Sequence, residues 1–90
     1  MIDLEDLGPA LRLLRLRHGS RQHDLAHRAG ITKAMLSGYE RGARLPSLRS
    51  LAAVLDAQGV GFDKLHRAME CARRRRLMRP TLEGREPERS

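Results

Sequence analysis

An all-α domain of five helices is predicted by three observations. Aromatic residues are only 2% of the 90-residue chain and tryptophan is absent, so the residues that favour strands are scarce. Leu and Ala, both good helix formers, recur from end to end. Apolar residues return at intervals of three and four between glycine, proline and serine breaks, and no alternating stretch reads as a strand. A chain of this size makes one domain, burying little more than roughly 60% of its extended surface.

Helix one is expected over about residues 6 to 17. Leu4, Leu7, Leu11 and Leu14 supply its apolar stripe, Asp6 its cap, and Pro9 sits in the first turn, where a missing N–H costs nothing. "HGS" breaks it, and "RQHDLAHRAG" gives a two-turn helix with Leu25, Ala26 and Ala29 inward and Gly30 as a left-handed stop. Helix two starts at Ser20 or, lacking a capping side chain, one residue later at Arg21.

Thr32 caps helix three, and Ile31 just before it can staple onto Leu36, fixing the angle between helices two and three. In "GITKAMLSGYERG", Leu36, Tyr39 and Glu40 fall inward, which leaves Lys33, Ala34, Ser37, Gly38 and Arg41 outside. Small residues and a mid-helix glycine, costing about 1 kcal/mol against alanine, suggest that something approaches this face closely.

Pro46 and Ser47 open a fourth helix with Leu48, Leu51, Ala52 and Leu55 inward, ended by "AQGVG". Phe62, Leu65, Met69 and Ala72 mark a fifth helix that runs into Arg73–Arg76, with a flank of Ala68, Cys71 and Leu77 left over. The folded domain therefore spans 1–78. Residues 79–90, rich in charge, proline and glycine with little to bury, are expected to be a disordered tail.

One cysteine, Cys71, excludes an internal disulfide and fits a reducing compartment. No apolar run approaches the roughly 18 residues of a membrane span, and the acidic start "MIDLEDLG" lacks the apolar core of a signal peptide, so the expected location is the cytoplasm. There is no phosphate loop, cysteine pair or nucleophile beside a base, hence no catalytic residue, cofactor or enzyme activity is expected. His23 and His27, four apart, lack a third ligand at sensible spacing and read as exposed histidines, with no metal. The net charge of +7 and pI near 11.2, mostly arginine, favour a polyanionic partner, nucleic acid foremost.

Two short helices joined by a glycine turn, the second capped by threonine, form a helix-turn-helix pattern. With Gln22, Leu25-Ala26, Gly30, Leu36-Ser37, Glu40-Arg41-Gly42 and Pro46-Ser47 at their joint spacing, most of the chain resembles the lambda-repressor-like (Cro and xenobiotic-response-element) family. The resemblance implies a DNA-binding domain in which helices two and three form the motif and helix three enters the major groove of double-stranded DNA. It implies that Gln22 reaches the DNA backbone and props helix three, and that Thr32 caps and touches phosphate. Lys33, Ala34 and Gly38 match base-reading positions, Ser37 lies in the same motif, and Arg41 matches a phosphate contact. Arg15 and Glu40 match a structural ion pair, and family members commonly dimerise through the last helix.

Arg21 stands where the family carries a capping serine or threonine and points towards phosphates, where Arg44 is expected to join it. The Arg73–Arg76 run reads either as a solvated helix end suited to the dipole or as a second grip on DNA or an acidic partner. The expected function is a small dimeric transcriptional regulator, a repressor that occludes a promoter. Its rivals are an antitoxin that neutralises a toxin partner and autoregulates, and an adaptor that binds protein alone.

Overall fold

The computed structural model describes residues 2–78. A short 3-10 turn, Leu4–Asp6, leads into α1 (Leu7–His18), α2 (Gln22–Ala29), α3 (Lys33–Arg41), α4 (Leu48–Ala57) and α5 (Phe62–Met78). The described residues are all-helical, without a strand. The tail expected over 79–90 lies outside the described residues.

Helix α1 is the spine: it packs on α5 along one side and on α3 along the other, while α2 bridges α3 and α4. Leu11 and Leu14, Leu25, Leu36, Val54 and Leu55, and Leu65 and Met69 bring all five helices into one core. Each such side chain, taken fully out of water, contributes about 1.5–3 kcal/mol. Local signals place the ends: Thr32 accepts from the Met35 N–H at 3.0 Å, and Ser47 accepts from the Ser50 N–H at 3.0 Å. Gly30, at φ 75°, turns the chain from α2 towards α3 in the left-handed region that residues with a Cβ rarely occupy.

Three apolar residues expected inside are exposed: Leu4 at 61%, Leu48 at 73% and Phe62 at 51%. Leu4 lies in the 3-10 turn, ahead of α1, and Leu48 and Phe62 are the first residues of α4 and α5. The buried residues of α4 are Leu55, as its spacing predicts, and Val54, which lies outside the expected inward set, while Leu51 and Ala52 are half-buried. In α5 the core takes Leu65, Met69, Ala72 and also Ala68, only 2% exposed, so Ala68 is not part of an outer flank. Cys71 is half-buried and Leu77 exposed.

Asp6 stands at the head of α1, but its side chain makes no capping bond. It is 1% exposed and accepts two hydrogen bonds from Arg76 of α5, Nε to Oδ1 at 2.9 Å and Nη2 to Oδ2 at 3.1 Å. Arg76 also lies 3.4 Å from both Asp3 and Glu5. The bond to Asp6 holds the Arg76 guanidinium above its ordinary pKa. The arginine run is thus divided: Arg73, Arg74 and Arg75 face solvent, and Arg76 is an internal clasp.

Candidate nucleic-acid interface

Helix α3 presents two unlike faces. Leu36 and Tyr39 are in the core, and Glu40, 6% exposed, carries a charge into it. That charge is matched: Arg15 Nε donates to Glu40 Oε2 at 2.7 Å and Nη2 donates to Oε1 at 3.0 Å. Gln22 Nε2 adds a third bond to Oε1 at 2.9 Å, and Arg15 Nη1 reaches the Ser20 carbonyl at 3.0 Å. One carboxylate therefore ties α3 to α1 and α2, and the hydrogen bond to it raises the Arg15 pKa above its ordinary value. The Gln22 amide nitrogen is turned inward to this network rather than outward.

The opposite face carries Thr32, Lys33, Ala34 and Arg41, all exposed, with Ser37 half-exposed. Lys33, Ser37 and Arg41 recur every four residues and so form one stripe along the helix. Arg41 Nε donates to Ser37 Oγ at 3.2 Å, which lays the guanidinium along α3. Gly38 is buried, which corrects its expected open place on this face. A Cβ built there would lie 3.1 Å from Arg44 Cδ and 3.3 Å from Arg44 Cγ, so what comes close to the glycine is the stem of Arg44. The absent side chain lets the Arg44 stem lie against α3.

At the other end of the stripe, α2 begins at Gln22 with no capping side chain. Arg21 precedes it in an extended conformation, φ −84° and ψ 153°, and Ser20 is engaged elsewhere, 2.6 Å from His18 Nδ1 and accepting from Arg28 Nη2 at 3.1 Å. The first amides of α2 are thus left without a side-chain acceptor, at the positive end of its dipole. They open onto a shallow depression of about 580 Å³ lined by Arg15, Arg21, Gln22, His23, Asp24 and Lys33. Arg21 and Lys33 outnumber the Asp24 carboxylate on this rim, the Arg15 charge being matched by Glu40, and with the open amides they make the concavity an anion-accepting surface.

Serine at position 21 would supply the missing cap, so Arg21→Ser is expected to stabilise the fold by about 1 kcal/mol. The check is a higher urea midpoint at unchanged slope; an unmoved midpoint would mean that the amides already have a partner.

Periodicity alone did not find Gly8, although a glycine among good helix formers in a first turn is a signal of close approach. A Cβ there would lie 2.7 Å from the carbonyl oxygens of both Tyr39 and Glu40. His23 and His27 are exposed, and among the described residues no group of three His, Cys, Asp or Glu could hold a metal. No described helix is long and apolar enough to cross a membrane.

A family model described as helix-turn-helix matches residues 11–65. Among solved structures, a threonine-to-alanine variant of the restriction-modification controller protein C.Esp1396I is 25% identical with a TM-score of 0.71, covering 77% of this chain and 92% of that one. A tyrosine-to-alanine variant of the same controller is 24% identical, TM-score 0.69, over 84% and 95% of the two chains. A tyrosine-to-phenylalanine variant gives 23% and 0.69 over 88% and 99%. A comparison with curated proteins found no match.

Proposed function

The chain belongs to the helix-turn-helix family, and on that footing we propose that it is a sequence-specific DNA-binding regulator of transcription that inserts α3 into the major groove. The observation that carries the reading is the pairing of two features on one surface. An exposed stripe of Lys33, Ala34, Ser37 and Arg41 adjoins the uncapped start of α2, which Arg21 and Lys33 flank. The stripe suits base edges and the depression suits a phosphate.

Lys33 is the base reader, offering donors to guanine O6 and N7, and Ala34 meets a thymine methyl. Arg21, Arg41, Arg44, Thr32 and the open amides of α2 grip phosphate, and Gln22 acts by bracing Glu40. Likeness to a restriction-modification controller supports a regulatory role, which we take to be repression by occluding a promoter as a dimer. With Ala68 inside the core, the self-contact must draw on exposed apolar residues, among them Leu77 of the expected flank and Leu45, Leu48 and Phe62.

Fluorescence anisotropy on the chain's own upstream DNA and on a scrambled duplex, across a salt series, tests the proposal. A preference above about a thousandfold is expected, the lower edge of true specificity; equal binding to both duplexes would refute sequence reading. Lys33→Ala should cost about 1–3 kcal/mol on the best site and relax one position of its preference. Arg41→Ala should weaken all duplexes alike and lower the salt slope by about one. A uniform loss from Lys33→Ala would show that it too only grips backbone.

A further inference from the structure

We propose that Arg76, at the far end of the chain from the motif, is a positioning residue for the recognition helix, acting through the head of α1. The proposal rests on the DNA-binding reading above for its functional arm, and on geometry for the rest.

Arg76 is the one arginine of the 73–76 run turned inward, with both Asp6 oxygens bound at 2.9 and 3.1 Å and the Asp6 carboxylate sealed from solvent. Asp3 and Glu5 complete an acidic cradle around its guanidinium. The clasp therefore fixes where α1 begins relative to α5. Two residues after Asp6, the Gly8 backbone lies against the Tyr39 and Glu40 carbonyls, at the end of α3. Seven residues further, two turns along the same face, Arg15 holds the Glu40 carboxylate. Any shift in the head of α1 is passed to the end of α3, because the Gly8 contact is backbone against backbone and has no flexible side chain to absorb it. The bonds that close α3, Gly42 N–H to the Tyr39 carbonyl at 3.2 Å and Ala43 N–H to the Gly38 carbonyl at 2.9 Å, sit next to that contact.

Two single variants and one double separate this role from a phosphate contact and from general stability. Arg76→Gln leaves the buried Asp6 carboxylate without its cation. It is expected to weaken specific DNA binding about tenfold while the salt slope stays unchanged. The double variant Asp6→Asn with Arg76→Gln, in which two amides replace two charges, should recover most of that loss. Arg74→Gln, an exposed member of the same run, should leave binding to specific DNA within about twofold.

Amide hydrogen exchange on the DNA-free protein provides the second arm: Arg76→Gln should speed exchange at Gly42 and Ala43 more than at the core amides of α4. Failure to bind DNA in the wild type would overturn the DNA-binding reading, and the exchange arm would still decide the clasp. A salt slope lower by about one with no rescue by Asp6→Asn would show that Arg76 touches phosphate. Uniformly faster exchange, or none at the end of α3, would overturn the positioning role.

Discussion

Glu40→Ala is expected to lower the unfolding free energy by about 3–5 kcal/mol, because it strands a buried arginine. Arg15 is 8% exposed, and Glu40 accepts three of the bonds that hold α1, α2 and α3 together. Removing the carboxylate leaves the Arg15 guanidinium with only the Ser20 carbonyl and leaves the Gln22 amide nitrogen without its acceptor. At roughly 4–8 °C per kcal/mol for a domain this small, the melting temperature should drop by at least about 12 °C in calorimetry. A loss below about 1 kcal/mol, the scale of a solvated pair, would show that water replaces the carboxylate. Replacing Arg15 and Glu40 together by methionine should restore most of the stability, since a well-packed apolar pair often matches a buried ionic one. DNA affinity should nevertheless be lower than that of the parent chain in this double variant, because the Gln22–Glu40 bond that ties α3 to α2 is absent.

Gly8→Ala should destabilise, although glycine to alanine in a helix ordinarily gains up to about 1 kcal/mol. The added methyl meets two backbone carbonyl oxygens at 2.7 Å, and neither can swing aside. Overpacking of this kind costs about 1–3 kcal/mol and should outweigh the gain in propensity. DNA binding should fall too, as α1 and the end of α3 are forced apart. Gly38→Ala is the contrast. Its methyl meets the flexible stem of Arg44 at 3.1 Å, so the stem can move and stability should be kept or raised. Urea unfolding of both variants checks the pair; equal signs at the two positions would mean that backbone and side-chain neighbours yield alike.

The sequence showed clearly what is encoded within a few residues. Caps at Thr32 and Ser47, the glycine stop at Gly30 and the inward set Leu36, Tyr39 and Glu40 all follow from short spacings, and so did the motif. Leu48 and Phe62 were misplaced because periodicity gives a face but not how far the neighbouring helix extends to cover it. Local spacing leaves two starts open for α2, capped by Ser20 or uncapped at Arg21, and the structure takes the second because the Ser20 hydroxyl is held by His18 and Arg28. Asp6 and Arg76 stand 70 positions apart, and no local pattern distinguishes an arginine that turns back to a buried acid from three neighbours that do not. Gly38 showed that something comes near, but only the path of the chain to Arg44 could say what.

The division of α3 into a face that holds the fold and a face that holds nothing inside has a consequence for how such a protein diversifies. Lys33, Ala34 and Ser37 make no contact on which the core depends, whereas Leu36, Tyr39 and Glu40 carry the tertiary bonds. Mutations can therefore accumulate on the outer stripe at little thermodynamic risk, since surface changes usually stay within about 0.5 kcal/mol. On the proposed DNA-binding reading, a lineage of such chains is free to change its sequence preference one side chain at a time, each intermediate still folded and open to selection.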